Sequence, residues 1–160
     1  PVLGAKMLVL GGIAEDEREG RDLLLDSIAS GRALATFRTW VRAQGGDARV
    51  ADDLSLLPIG AHTREVTARE SGWIEGFDAE GVGRAAMELG AGRARKEDTI
   101  DPCAGLDLHV KTGDRVEIGV PLGTLYTSDP ALLDEAEERL CAAVRIGGEE
   151  VPPPPLFLEA

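Results

Sequence analysis

The stretch densest in chemical groups is Leu89-Gly90-Ala91-Gly92-Arg93-Ala94-Arg95-Lys96-Glu97-Asp98. Two glycines precede three cations in a chain that is otherwise strongly acidic. Bare backbone amides beside arginines can hold a phosphate, so Arg93, Arg95 and Lys96 are candidates for an anion site. The same residues also fit a glycine helix cap, with cations that complement the helix C-terminus and pair with nearby acids. A phosphate-binding loop would place its glycines between a strand and the N-terminus of a helix. Here they follow a helical pattern, which favours the cap. The remaining reactive side chains are sparse. Cys103 and Cys141 lie far apart, and neither they nor His62 and His109 show the close spacing of a metal site or a disulfide framework; no metal is expected. Asp52-Asp53 read as solvated acids in a connecting segment. There is no Gly-x-Ser-x-Gly elbow, and Cys103, in Asp101-Pro102-Cys103-Ala104-Gly105, has no evident histidine partner. No catalytic residue is expected in this sequence.

Composition narrows the partners. The chain has 160 residues, 43% hydrophobic and 29% charged, with a net charge of -12 and a pI near 4.6. That is ordinary globular composition, and so acidic a chain repels phosphate backbones and anionic lipid. Neither nucleic acid nor a membrane is expected as a partner. Aromatic residues are 4% of the total, so the core must come from Ala, Leu, Val and Ile, and a stacking surface for single strands is not expected. Two free thiols fit a reducing cytosol. No apolar run is long enough to cross a bilayer. The sequence opens without Met and inside a helical pattern, and reads as a fragment or processed product.

The elements that would position these groups divide the chain in two. Residues 1–46 read as three short helices. Met7, Leu8, Leu10 and Ile13 line the first, broken at Gly11-Gly12. Leu23, Leu24, Ser27 and Ile28 mark the second. Leu34, Phe37 and Val41, with Trp40 beside them, mark the third, with Ser30 as its N-cap and Gly45-Gly46 as its stop. Such helices have no sheet to cover and would expose apolar faces unless they pack on something else. Residues 47–62 read as a connection, punctuated by Pro58 and Gly60. Beyond it, Glu65-Val66-Thr67-Ala68 and Trp73-Ile74-Glu75-Gly76-Phe77 read as two strands joined around Ser71-Gly72. A helix follows with Val82, Ala85, Ala86 and Leu89 on one face. Leu106 to Val110, Val116 to Ile118 and Pro121 to Tyr126 read as strands. A last helix is capped by Asp129 with Pro130 in its first turn, and buries Leu132, Leu133, Ala136, Leu140 and Val144. Pro152 to Pro155 forms a rigid extended tail leading to Leu156-Phe157-Leu158.

Two resemblances follow from these residues. Val110-Lys111-Thr112-Gly113-Asp114-Arg115-Val116-Glu117-Ile118-Gly119-Val120-Pro121-Leu122 resembles one half of a biotinyl or lipoyl carrier domain, and Ala68 to Asp78 resembles the other. In such half-barrels glycines set tight corners between short strands. A carrier also needs a lysine at an exposed hairpin tip, and no Met-Lys-Met or Asp-Lys-Ala occurs, so a non-catalytic carrier or interaction module is the alternative reading.

The wider resemblance is to the C-terminal part of the thymidine or pyrimidine-nucleoside phosphorylase family. It is carried in order by Ser30-Gly31-Arg32-Ala33-Leu34 with Phe37, Ala43-Gln44-Gly45-Gly46-Asp47, Val66-Thr67-Ala68, Gly72-Trp73-Ile74 and Asp78-Ala79 with Val82-Gly83. Leu89-Gly90-Ala91-Gly92-Arg93, Lys96-Glu97-Asp98, Ile100-Asp101, Lys111-Thr112-Gly113-Asp114 and Gly119-Val120-Pro121-Leu122 complete the series. Phe77, where an aliphatic residue is expected, and Pro102-Cys103-Ala104 depart from the pattern. The resemblance implies a cytoplasmic, homodimeric glycosyltransferase that moves the pentose of a pyrimidine nucleoside to phosphate, releasing the base and a pentose 1-phosphate. It implies an active site between a helical domain and an α/β domain. Phosphate is the co-substrate, a potassium ion is seen in some members, and no cofactor is expected in this chain. The family's phosphate- and base-binding residues lie upstream of the matched part, so none maps here. The implied fold is α+β: residues 1–53 as closing helices of the α/β domain, 54–62 as linker, and 61–160 as a C-terminal α+β domain of half-barrel, hammerhead-like character.

Overall fold

The computed structural model of the chain describes residues 1–93 and 95–155. Leu156-Phe157-Leu158 lie outside the described residues, as does Ala94 within the cationic stretch. The chain divides into two compact units, residues 1–57 and residues from Pro58 onward.

The first unit is helical: α1 spans Val2–Leu10, α2 Glu17–Ala29 and α3 Arg32–Ala43, followed by single 3-10 turns at Ala48–Ala51 and Leu54–Leu56. Asp16 starts α2 by accepting the Glu19 amide at 2.8 Å, while the Glu19 carboxylate takes the Glu15 amide at 2.7 Å. These bonds satisfy amides that a helix start leaves without intrahelical partners. Small residues let α1 and α2 approach closely. A Cβ on Gly20 would stand 2.9 Å from the Ala5 carbonyl oxygen, and one on Gly4 would stand 2.7 Å from Leu24 Cδ1. Ser30 does not cap α3. It ends α2, its amide donating to Asp26 O at 2.9 Å, and Gly31 is the N-cap. The reversal between the helices needs a left-handed residue (φ 76°), a conformation open to glycine and costly for serine.

Met7, Leu10 and Ile13, read as lining one face of the first helix, are exposed, Leu10 at 88%. Phe37 and Trp40 pack at a 6.0 Å centroid distance and are also open, as is Leu34. The unit buries Ala5, Ala14, Gly20 and Ala48 and leaves its large apolar side chains outside.

The second unit holds two three-stranded antiparallel sheets and two helices. One sheet has the order β1-β5-β3, with β1 His62–Thr67, β3 Gly105–Leu108 and β5 Pro121–Thr127. The other has the order β4-β2-β6, with β2 Gly72–Phe77, β4 Arg115–Val116 and β6 Val144–Gly147. The predicted strands β1 and β2 both form, but they do not pair with each other. The segment between them crosses from one sheet to the other, fastened where the Ala68 amide donates to Val120 O and the Gly119 amide to Ala68 O, each at 2.9 Å. The half-barrel corners take left-handed glycines, φ 97° at Gly113 and 87° at Gly119. Val144, read as the end of the last helix, is already extended (φ -94°, ψ 119°) and begins β6, a strand the helical pattern concealed.

Helix α4 covers Ala79–Ala86 and continues as a wide turn over Met87–Ala91; α5 covers Leu133–Ala143 after a 3-10 turn at Pro130–Leu132 that Asp129 caps. Their apolar stripes meet the sheets in one core, where Val66, Ile74, Leu89, Val116, Leu125 and Leu140 are fully buried. Phe77 packs against this core in place of the expected aliphatic residue. Arginines fasten α5 from outside: Arg64 to Asp134 and Glu137, Arg69 to Glu138 through two bonds, and Arg139 to Glu88 on the turn after α4. Truncating a fully buried side chain loses its transfer energy and leaves a cavity, so Leu125→Ala should lower the unfolding free energy by about 2–5 kcal/mol. Truncation of exposed Ile118 should cost less than about 0.5 kcal/mol. Urea unfolding followed by Trp73 emission in a Trp40→Phe background measures both.

Candidate functional site

The cationic stretch leaves α4 through a helical turn wider than an α-turn. Gly90 closes it with φ 107°, and a Cβ there would stand 3.2 Å from Asp101 Cβ. The expected glycine stop is therefore real. Arg93, Arg95 and Lys96 follow as exposed residues. The Arg95 amide donates to Asp98 Oδ2 at 2.7 Å and the Asp98 amide returns to Arg95 O at 3.1 Å, forming a turn. Among the described residues, none of the three cationic side chains forms an ion pair.

The base of this stretch is closed by Asp101, which the sequence showed only as part of an ordered series, and by residues outside that series. The Asp101 amide donates to Gly90 O at 2.9 Å. Its carboxylate accepts the Cys103 amide at 2.9 Å through Oδ1 and the Ser128 amide at 3.2 Å through Oδ2. Bonds that favour the charged form lower a carboxyl pKa, and those from Ser128 and Cys103 hold Asp101 below the ordinary carboxylate range. Thr127, fully buried, donates its hydroxyl to Leu89 O at 2.8 Å and accepts the Asp129 amide at 3.2 Å. The Gly60 amide donates to Cys103 O at 2.9 Å, and a Cβ on Gly60 would stand 2.5 Å from the Thr127 amide nitrogen. The unusual Pro102-Cys103-Ala104 filling is thus a turn held from three sides. Gly60 was legible as punctuation, and the packing that requires it was not.

The other candidates do not assemble. Partial burial and the neighbouring Asp101 push the Cys103 thiol up, which keeps it protonated at neutral pH, and burial raises Cys141 as well. A nucleophilic cysteine needs the opposite environment. His109 Nε2 meets Thr124 Oγ1 at 3.2 Å, and His62 opens β1 opposite Thr127. Among the described residues no group of three or more His, Cys, Asp or Glu side chains could hold a metal. Asp52 is taken by Arg38, and Asp53 caps a turn by accepting the Ser55 amide and hydroxyl at 3.0 and 2.6 Å. A groove of about 290 Å³ opens beside the Cys103 turn, lined by Ile59, Ala104 and the pair Tyr126–Asp107, whose hydroxyl and carboxylate stand 3.3 Å apart.

The second unit is thus an α+β domain with half-barrel corners, a capped helix and an exposed cationic segment. The family model described as pyrimidine nucleoside phosphorylase C-terminal domain matches residues 73–147. The chain is 42% identical over 158 residues to a pyrimidine-nucleoside phosphorylase of Geobacillus stearothermophilus, covering 99% of this chain and 36% of that protein. It is 41% identical over 151 residues to one of Bacillus subtilis (strain 168) and 39% identical over 151 residues to one of Staphylococcus aureus (strain USA300), covering 94% of this chain and 35% of each. Over almost all of its length the chain is therefore similar to the C-terminal part of pyrimidine-nucleoside phosphorylases, the resemblance that the ordered motifs carried. It spans about a third of the length of the relatives it matches, and the matches support this reading over a carrier module.

Removing one member of a buried hydrogen-bonded pair leaves its partner without a bond. Thr127→Val should therefore cost about 1–3 kcal/mol, and Thr127→Ser much less, in the same urea measurement. The Asp101 bonds have a definite pH sense. A carboxyl lowered in the folded state stabilises fully above its ordinary pKa, and loses that contribution as pH falls through the folded value. Exchange of the Cys103 and Ser128 amides, corrected for intrinsic rates, should therefore accelerate only in acid below the usual aspartate range. Acceleration already near neutral pH would contradict the assignment.

Proposed function

We propose that this chain is the C-terminal part of a longer enzyme that transfers the pentose of a pyrimidine nucleoside to phosphate, giving the free base and a pentose 1-phosphate. The observation that carries this reading is about 40% identity, over almost all of the chain, to relatives named pyrimidine-nucleoside phosphorylase. The chain's own residues fit a supporting role. Glycosyl transfer needs phosphate donors and a base-contacting group held together around a cationic sugar, and the described residues gather no such set. Residues 1–53 serve as closing helices of the α/β domain, which gives their exposed apolar side chains a surface to cover. Residues 54–62 are the linker, and residues 61–160 the C-terminal domain. Arg93, Arg95 and Lys96 reach toward phosphate when the cleft closes. The enzyme works as a homodimer in the cytoplasm, and its acidity keeps it from nucleic acid and membrane surfaces.

The purified chain alone should not cleave uridine or thymidine in phosphate buffer, whereas the full-length protein should release free base at a rate that depends on phosphate. Clear turnover by the chain alone would overturn the supporting role, and no phosphate-dependent release by the full-length protein would overturn the activity. In the full-length protein, Arg93→Ala should raise the phosphate KM or lower kcat. Unchanged kinetics with normal stability would leave Arg93 only a place after the helix cap.

A further inference from the structure

Asp101 is where several stretches of the second unit are fastened together. Its amide reaches Gly90 O at 2.9 Å, which joins the two ends of the stretch that carries Arg93, Arg95 and Lys96. Its carboxylate holds the Cys103 amide two residues on, and also the Ser128 amide, 27 residues away at the end of β5. Cys103 is held from its other side by the Gly60 amide. A turn of this kind needs one acceptor. The bond to Ser128 is additional, and it ties the turn to the strand that runs through the middle of its sheet.

The geometry has a consequence for the cations. Long side chains lose conformational freedom when they engage an anion, and a site whose backbone is already fixed has less to lose. Gly90 and Asp101 touch at their backbones, so the stretch between them starts and ends at one fixed point, while its three cations remain exposed. Resting on the reading that these cations meet phosphate, we infer that Asp101 is a positioning residue for that reaction. It closes the base of the cationic stretch and fixes where Arg93, Arg95 and Lys96 stand, without touching phosphate itself.

The test uses the full-length protein with uridine and inorganic phosphate, and compares Asp101→Ala, Asp101→Asn and the triple variant Arg93→Ala, Arg95→Ala, Lys96→Ala. Asp101→Ala should raise the phosphate KM about tenfold, well below the cost of misplacing a reacting group, with the uridine KM changed less than about twofold. Asp101→Asn keeps one carbonyl acceptor and should fall between wild type and Ala. Trypsin supplies a readout besides activity: cleavage after Arg93, Arg95 and Lys96, followed by mass spectrometry, should quicken in Asp101→Ala at an unchanged melting temperature. If the triple variant raises the phosphate KM and neither Asp101 variant does, the inference is overturned and the functional reading stands. An unchanged phosphate KM in the triple variant means that the reading of the cations fails and the positioning role fails with it. Cleavage rates then show whether Asp101 still closes the base. Should Asp101→Ala not fold, Asp101→Asn decides: a wild-type phosphate KM and wild-type cleavage in that variant overturn the inference.

Discussion

A hydroxyl shut away from water must find its bonds inside the protein, and the hydroxyl of Thr127 finds both of its own at one place. It donates to the last turn after α4 and accepts from the first residue of the α5 cap. That single side chain joins the end of a helix, the end of a central strand and the start of the next helix. The neighbouring bonds depend on it. Asp101 can reach Ser128 because Thr127 fixes the end of β5, and Gly60 can lie against the Thr127 amide because no Cβ intervenes. Broken here, the fold would lose the register between its two helices before it lost either sheet.

Much of the local structure was legible because local chemistry specifies it. Asp129-Pro130 announced a helix start, Gly45 and Gly90 announced helix ends, and the glycines of the Gly113 and Gly119 corners announced turns. Each signal acts within a few residues. The pairing of strands does not. Glu65 to Ala68 and Trp73 to Phe77 read as two strands joined around Ser71-Gly72, which left their partners open, and those partners are β5, β4 and β6. Periodicity says which residues face a core and is silent on which sheet supplies it. Val144 failed for a related reason: its place in the α5 stripe matched the helix so well that the strand Val144-Arg145-Ile146-Gly147 was absorbed into it. Ser30 was misjudged because a serine looks like a cap, while the reversal at Gly31 depends on a backbone angle.

The candidate site was legible in type and illegible in assembly. Three cations after two glycines stand out in any acidic chain. At the base of their stretch stands the Asp101 carboxylate, bonded to amides 2 and 27 residues away, and no spacing rule predicts that pair. The acidity matters in a second way. Elsewhere in the second unit, Arg64, Arg69, Arg84 and Arg139 pair with carboxylates on α4, α5 and the turn after α4. With 29 acidic residues against 17 basic ones, pairing is the expected fate of a cation. Among the described residues Arg93, Arg95 and Lys96 form no ion pair, while the carboxylates of Asp98 and Asp101 beside them accept backbone amides.

The helical unit applies the same reasoning to apolar surface. A chain with 4% aromatic residues has few large side chains to spare, yet Phe37 and Trp40 stand open beside each other, and Leu10 is the most exposed large apolar residue among the described ones. Inside the unit, helices meet through Ala5, Gly4 and Gly20, a contact close enough to leave no room for bulk. Small residues at the closest helix contact, with Leu10, Phe37 and Trp40 exposed, are the reverse of what a free-standing bundle needs. The arrangement makes sense when the large faces have a surface of their own to cover. In the proposed reading that surface belongs to the rest of the α/β domain, and the exposed stripe of α3 is the observation that favours it.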